Sequence, residues 1–414
     1  MSDTPSPAAR IAAGLRRRHR AERRFRAFGL GAVLLSALAL ALLLATMTAN
    51  GLGGFMREEL RFPLDLTGSV LNIDPARLGE PGAVQALDAA GLKDALDLSA
   101  RKALGDRAGN ELASTAWREV AARLVAHPAL LDTRFEVSVP VSDALAKAIR
   151  GEGNPQLTAL AGQLRQRGSL HRALDTGFLT RSDATSPQQA GIWGALKGSI
   201  LTMLVTLGVA FPIGVASAVY LEEYAPKNRW TDLIEVSINN LAAVPSIIFG
   251  LLGLAVFLWI FPYYRSAPLV GGLTLALMTM PVIVISGRNA IKAVPPSIRD
   301  GALAIGASPI QVVFHHVLPL ALPGILTGTI IGMARALGET APLLMIGMRA
   351  FVATPPGGFT DPATALPVQI YLWSDEIDRG FVERTSAAII VLLLFLLAMN
   401  GLAIYLRNRF EKTW

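Results

Sequence analysis

Cysteine is absent from the 414 residues of this chain. Disulfide bonds and thiolate metal sites are therefore excluded, so any folded segment must be stabilised by packing alone. The sequence also lacks a Gly-x-x-x-x-Gly-Lys-Ser/Thr motif, and with it the loop that cradles nucleotide phosphates. Histidine is scarce, and the adjacent His315 and His316 would point apart on a helix, which disfavours a metal site. We expect no catalytic residue, no metal and no cofactor in this chain.

Charged residues are also scarce, at 17% of the chain, whereas 52% of the residues are hydrophobic. This composition is typical of an integral membrane protein and not of one ordinary soluble domain. Residues 28–47 form the first long uncharged run, which is long enough to cross a hydrocarbon core about 30 Å thick. The run is too long for a signal peptide and lacks a small-residue cleavage site, so we interpret it as a retained membrane anchor.

Five further apolar runs predict five more membrane-spanning helices, at residues 196–221, 238–261, 269–285, 320–347 and 387–406. Six spans return the C-terminus, with its Lys412, to the side of the N-terminus. The positive-inside tendency places that side in the cytoplasm because arginines crowd ahead of the anchor, at Arg10, Arg16, Arg17, Arg18, Arg20, Arg23, Arg24 and Arg26. A nucleic-acid-binding arm is the alternative interpretation, and the span that follows immediately argues against it.

The long polar segment after the anchor is nearly neutral. Residues 50–190 contain 16 basic and 17 acidic residues, so the positive charge of the chain lies elsewhere, as expected for a translocated segment. Its patterns predict helices near residues 117–124, 141–149 and 157–164 and one strand at 135–141. We therefore divide the chain into a basic cytoplasmic tail (1–27), the anchor (28–47), a periplasmic domain (48–190) and a membrane core (191–414).

The loop at residues 292–317, between the fourth and fifth runs, predicts two short helices. Ser297 and Asp300 have the spacing of a capping box, Gly306 is a typical helix stop, and Ser308 with Gln311 repeats the start signal. Such a pair of helices forms a compact protrusion that is suited to docking into a partner. The apolar face of the first helix is expected to consist of Ile298, Ala302 and Ile305.

Arg335 and Glu339 lie inside the apolar run at 320–347, where an isolated charge costs about 2.5 to 3.5 kcal/mol on insertion scales. Their i,i+4 spacing places both side chains on one helical face, near the middle of the span. Glycines on the same stripe favour close helix packing, so we expect the charges to face protein, with helix-packing residues Gly324, Gly328 and Gly332. The pair either meets an anion that crosses the membrane or clamps two helices.

Several of these segments resemble a known family. Asp300-Gly301-Ala302, Gly306, and Leu318-Pro319 are similar to the coupling loop of ABC importer permeases, with departures at Asp300, Gly301 and His316. Three further stretches resemble phosphate importer permeases of the PstA type: YLEEYAP at 220–226, NNLAAVPSIIFGL at 239–251 and ARALGETAP at 334–342.

The resemblance implies an all-α polytopic membrane protein with a type I ABC importer permease core. The apolar runs add the expectation of six transmembrane helices, and the polar segment after the anchor adds that of an inserted soluble periplasmic domain. It implies a multi-pass transport subunit of the cell inner membrane, not an enzyme, whose partners are a homologous phosphate permease subunit, two ATP-binding subunits that hydrolyse ATP, a periplasmic phosphate-binding protein and the lipid bilayer. No nucleic acid partner is implied.

The chemistry of the residues and the resemblance together assign residues to roles. The substrate path is expected at Arg335, Glu339, Thr340, Asn239 and Asn240, although the two asparagines could equally form hydrogen bonds between helices. The loop that couples to the ATPase is expected to use Asp300, Gly301, Ala302, Gly306, Ala307, Ser308, Leu318 and Pro319. Two alternatives stay open: a permease for another oxyanion such as sulfate or molybdate, and a membrane-anchored sensor. The long external insertion departs from the compact family form.

Overall fold

The computed structural model describes residues 7–68, 70–348 and 351–410. Residues 1–6 of the expected cytoplasmic tail and Lys412 near the C-terminus lie outside these ranges. The helices are, in chain order, α1 (Pro7–Gly54), α2 (Ala83–Ala89), α3 (Leu92–Leu104), α4 (Asp106–Gly109), α5 (Ala116–Ala126), α6 (Asp143–Ile149), α7 (Pro155–Gln166), α8 (Trp193–Val219), α9 (Arg229–Ala242), α10 (Ser246–Ile260), α11 (Pro268–Lys292), α12 (Pro296–Ala304), α13 (Pro309–Gln311), α14 (Leu318–Gly338), α15 (Ala341–Met345), α16 (Leu366–Ser374) and α17 (Gly380–Phe410).

Three strands, β1 (Met56–Asp65), β2 (Arg134–Pro140) and β3 (Leu170–Leu174), form an antiparallel sheet in the order β2-β1-β3. Leu60 of the central strand pairs with Val139 on one side and with Leu170 on the other. Alternate side chains of β1 are buried in one core with α3, α5, α6 and α7, namely Leu60, Phe62 and Leu64. We call residues 55–181 the sheet domain.

The helices expected near residues 117–124, 141–149 and 157–164 and the strand at 135–141 are confirmed by α5, α6, α7 and β2. The expectation of an all-α fold is wrong for this domain, because β1 and β3 are strands as well. β1 carries five charged residues among its ten, and these side chains mask its alternation of buried Leu60, Phe62 and Leu64.

Among the described residues, five helical segments are long and apolar enough to cross a membrane; they lie in or include α1, α8, α11, α14 and α17 and are Arg18–Gly54, Trp193–Tyr224, Pro268–Lys292, Pro309–Gly338 and Gly380–Arg409. The pair α9 and α10 makes a sixth if it counts as one span, but it is bent by 106°. The prediction of one continuous helix at 238–261 is therefore wrong. Pro245 explains the break: it lies in an extended conformation with ψ 137°, and a residue before proline is pushed out of the helical region.

The prediction of one helix over 320–347 is also wrong, since α14 ends at Gly338. Glu339 is extended, with ψ 125°, and α15 begins two residues later. Pro342 cannot donate the hydrogen bond that would continue α14, and its ring would clash with the preceding turn. A proline in the first turn of α15 is, by contrast, well tolerated.

The two breaks lie side by side. A Cβ atom placed on Gly250 of α10 would meet Pro342 Cα at 2.7 Å, and one on Gly253 would meet Ile346 Cγ2 at 3.1 Å. Because these contacts advance along α10 and α15 in the same direction, the break at residues 243–245 is next to the break at 339–340.

The helix α11 is the centre of the membrane bundle, with α8 on one side and α14 on the other. Its contact with α8 is close enough that a Cβ atom on Gly214 would meet Ile283 Cγ2 at 2.8 Å. On the other side the glycine stripe of α14 lies directly against α11: Gly324, Gly328 and Gly332 face Ala290, Ser286 and Thr279.

The sheet domain is joined to the membrane helices through Arg384 of α17. This buried guanidinium donates hydrogen bonds to Asp175 Oδ2 at 2.8 Å, to the Gly54 carbonyl at 2.7 Å and to the Pro187 carbonyl at 2.8 Å. Asp175 is fully buried and also accepts from Arg181 at 2.7 Å. A buried network of charged groups, and not only the chain connections, therefore fixes the domain on the bundle.

Candidate functional site

The loop at 292–317 forms the two short helices that its sequence predicts, α12 and α13, and continues through a π-helical turn, Val312–Val317, into α14. Gly306 makes the elbow with φ 89°, a value that favours glycine. The second start signal is confirmed, because the Ser308 N–H donates to Gln311 Oε1 at 2.9 Å. The first is wrong: α12 begins at Pro296, so Ser297 lies inside the helix and does not cap it.

One side of α12 is fixed to the bundle by Arg299. Its guanidinium donates to Glu223 Oε1 at 2.7 Å, to the Val294 carbonyl at 2.7 Å and to the Ile291 carbonyl at 3.0 Å. Glu223 belongs to the π-helical turn, Tyr220–Tyr224, that ends α8. The loop and the end of α8 are therefore rigidly connected.

The other side of the loop is exposed and partly apolar. Ala302 is buried as expected, but Ile305 is 82% exposed because it lies past the end of α12. The expected coupling residues Asp300, Gly301, Gly306 and Ser308 are exposed, and Ala307 is half-buried. Three large apolar side chains of the same loop are also exposed, namely Leu303, Ile310 and Phe314. Leu318 and Pro319 are half-buried at the start of α14.

A second ion network ties α8, α9 and α11 together close to this loop. Arg288 of α11 is largely buried and pairs with Glu222 and, at 2.7 Å, with Glu235 of α9. Lys292 lies 3.4 Å from the same Glu222. Glu222 and Glu223 are both mostly buried ion-pair partners. The sequence signal for these ion pairs was the group of basic residues after the fourth apolar run, Arg288, Lys292 and Arg299.

Arg335 lies in the last turn of α14, immediately before the helix break, and not in the middle of a span. Its side chain is 48% exposed in the isolated chain, and the expectation that it faces protein stays a prediction about the assembled complex. Glu339 lies beyond the helix end, yet its Oε1 is 3.6 Å from Arg335 Nε. Thr340, the residue before α15, is half-buried. A cation near a helix C-terminus is also favoured by the helix dipole.

Asn239 and Asn240 lie on α9, one turn before the neighbouring break, and both are exposed. In the described part of the chain, no hydrogen bond or ion pair joins either of them to Arg335. The structure thus brings together Arg335, Glu339 and the two helix breaks. Broken helices inside membranes are tolerated where protein or a water-filled cavity satisfies the freed backbone groups, and such breaks form the ion and substrate sites of many transporters.

Residues 195–412 match the family described as binding-protein-dependent transport system inner membrane component, and residues 12–159 match a domain of unknown function, DUF3333. A probable ABC transporter permease protein of Bacillus subtilis, YqgI, is 34% identical over 44% of this chain and 61% of its own length. The phosphate transport system permease protein PstA of Haemophilus influenzae is 30% identical over 55% of this chain and 79% of its own. A chain of the inward-facing MetNI methionine ABC transporter is 19% identical, with a TM-score of 0.42 over 53% of this chain and 98% of that one.

Proposed function

Because the chain belongs to the family of binding-protein-dependent transport system inner membrane components, we propose that it is the membrane-spanning permease subunit of an ATP-driven phosphate importer. The 30% identity to PstA and the three sequence stretches around 220–226, 239–251 and 334–342 support phosphate as the substrate. The chain spans only 61% of the length of YqgI, and the substrate assignment rests on the PstA proteins.

The observation that carries the proposal is an exposed arginine at a helix break inside a membrane helix. A guanidinium presents a planar fork of donors that matches the oxygens of phosphate, and it stays charged at any physiological pH. Arg335 is free to bind an anion because its pair with Glu339 is long, at 3.6 Å, and its side chain is half exposed. Glu339 balances the charge when no anion is bound.

In this proposal the path lies along the surface of α14 that carries Arg335, where a homologous permease chain supplies the opposite wall. Thr340, Asn239 and Asn240 are polar groups that line the same path. Arg335 contributes transient counter-charge, and a separate external phosphate-binding protein supplies selectivity, since conduction requires that the anion be released.

The proposed topology counts the bent pair α9 and α10 as one span, which gives six. Both termini and the 292–317 loop then lie in the cytoplasm, as the basic residues around them favour, and residues 48–190 lie in the periplasm. The exposed apolar surface of α12 and α13 docks into a cytoplasmic ATP-binding subunit. Nucleotide binding closes the two ATP-binding subunits, the loop relays the motion, and the path opens outward.

The direct test is uptake of radiolabelled phosphate by proteoliposomes that contain the full complex. We expect Arg335→Leu to assemble normally and to lower uptake at least about tenfold, the equivalent of one charge-assisted hydrogen bond. Arg118→Leu, on the exposed surface of the sheet domain, serves as the matched control. Normal uptake by an assembled Arg335→Leu complex contradicts the role of Arg335.

Two further measurements separate the alternatives. Competition by sulfate or molybdate that equals competition by phosphate would indicate a permease for another oxyanion. Crosslinks from a cysteine introduced at Ala304 or Ser308 to the ATP-binding subunit test the docking loop. Absence of crosslinks in every nucleotide state would contradict it.

A further inference from the structure

A cavity of about 700 Å³ lies where α1 ends and α17 begins, beneath the sheet domain. Both helices are long and apolar enough to cross a membrane, and both reach this point with their terminal turns. The cavity therefore lies at the surface of the hydrocarbon core, whichever way round the chain is inserted. It is separate from the 292–317 loop and from Arg335.

The side of the cavity towards the membrane is apolar and open. Leu52 of α1 and Val382 of α17 are each 60% exposed, and Met56 at the start of β1 is also exposed. The exposed apolar surface continues along α1 away from the cavity, through Leu44 and Leu40. An acyl chain entering from this side would lie against side chains that are already suited to lipid.

The opposite side carries three guanidinium groups, from Arg150, Arg172 and Arg379, and two carboxylates, from Glu152 and Glu383. This gives the lining an excess of one positive charge. These charged residues come from three parts of the chain: the turn between α6 and α7, the strand β3, and the start of α17 with the residue before it.

The arginines are only loosely paired. Arg172 Nη2 lies 3.3 Å from Glu383, and Arg379 Nε lies 3.5 Å from Glu152. Arg150 Nη2 lies 3.2 Å from Asp378, while its Nε is buried without a hydrogen-bond partner among the described residues. Charge-assisted bonds are typically about 2.7 to 2.9 Å long, so these groups keep capacity for a stronger acceptor.

We propose that this cavity binds the headgroup of a phospholipid. The phosphate diester accepts hydrogen bonds from Arg150, Arg172 and Arg379, and the acyl chains lie along the apolar wall of Leu52 and Val382. Glu152 and Glu383 accept from the hydroxyl groups or the ammonium of the headgroup. Free phosphate shares the first set of contacts but leaves the apolar wall exposed to water. The bound lipid bridges α1, α17 and the sheet domain at the membrane surface.

The test uses the full chain, purified in detergent and titrated with phosphatidylglycerol, with its soluble headgroup glycerophosphoglycerol and with inorganic phosphate. Bound molecules are counted by native mass spectrometry. We expect Arg172→Gln and Arg379→Gln each to weaken phosphatidylglycerol binding about tenfold, as for the loss of one charge-assisted hydrogen bond. Arg165→Gln is the matched control, because Arg165 is exposed, pairs with Glu58 at 3.5 Å and lies outside the cavity.

A second variant tests the apolar wall without changing an arginine. Leu52→Asp places a carboxylate beside the acyl chains and should weaken lipid binding at least as much, with the sheet domain still folded by circular dichroism. Equal binding by the cavity variants and the Arg165→Gln control would overturn the proposal. Inorganic phosphate or glycerophosphoglycerol binding as tightly as the lipid would overturn it as well.

Discussion

Asp183 is a buried carboxylate that makes the stability of the protein depend on pH. It precedes α8, and its Oδ1 accepts hydrogen bonds from Trp373 Nε1 at 2.9 Å and from the Ala184 N–H at 2.9 Å. No lysine or arginine pairs with it among the described residues. Burial raises the pKa of Asp183 above its ordinary value, against the opposing effect of these hydrogen bonds.

We predict that Asp183→Asn stabilises the protein at neutral pH. A raised pKa means that the folded state binds the proton more tightly, so the free energy of unfolding falls as pH rises from about 4 through the raised pKa. Asparagine keeps the acceptor oxygen without the charge. Thermal unfolding in detergent should show a midpoint a few degrees higher for the variant at pH 7.5 and no difference near pH 4. A lower midpoint for the variant at pH 7.5 would contradict this account.

At the residue scale, the sequence predicted which charged side chains stand out better than it predicted where they lie in the structure. Arg335 and Glu339 stand out because charges inside apolar runs are costly, and the structure does place them within 3.6 Å of each other. Their relation to the helix was not predictable from i,i+4 spacing, because spacing assumes that the helix continues. The ion pairs of Arg288 with Glu222 and of Arg299 with Glu223 join residues 66 and 76 positions apart, which no local pattern reveals.

At the scale of elements, the link between α12 and α8 is the connection most open to test. Arg299 and Glu223 are 23% and 12% exposed, so the pair is shielded from solvent, and Arg299 also holds the carbonyl groups at the end of α11. A motion of α12 must therefore move the end of α8 or break these bonds. We infer that this pair carries motion from the loop to the membrane bundle.

We predict that Arg299→Gln and Glu223→Gln each reduce phosphate uptake about tenfold, since each leaves a charged partner without its counter-charge. The complex should still assemble, because the apolar surface of α12 is unchanged. Substrate-stimulated ATP hydrolysis in proteoliposomes should fall in parallel, while basal hydrolysis persists. Asp232→Asn on the exposed surface of α9 is the control. Full stimulation by substrate in both variants would argue against this link.

The elements that hydropathy predicted are those with long uniform runs, such as α8, α11 and α17. Hydropathy is averaged over a window and does not detect a single extended residue. The predicted spans therefore continued through Pro245 and through Glu339, where one extended residue separates two apolar helices. Local start signals succeeded at Ser308 and failed at Ser297, where Pro295 and Pro296 set the helix start instead. β1 was missed because its pairing partners lie 69 or more residues away along the chain.

At the scale of the whole molecule, the sheet domain and the membrane bundle share one buried ionic network. Asp175 accepts from Arg181 and Arg384 and lies 3.5 Å from Arg57, which itself pairs with Glu119 at 2.6 Å. These groups come from β1, from α5, from the segment after β3 and from α17. The sheet domain is thus attached to α17 by this network, and any movement of that helix moves the domain with it.

We predict that Arg384→Ala loosens the sheet domain without unfolding the bundle. Removing one partner of a buried ion pair typically costs about 3 to 5 kcal/mol, and here it also removes two hydrogen bonds to carbonyl groups. Hydrogen exchange of the full chain in detergent should rise in β1, β3 and the segment after them, and stay unchanged in α11 and α14, whose contacts do not involve Arg384. Arg165→Ala, an exposed arginine of the same domain, is the control. Equal exchange in the two variants would mean that the domain is held by its apolar contacts with Phe178 and Trp373 and that the ionic network contributes little.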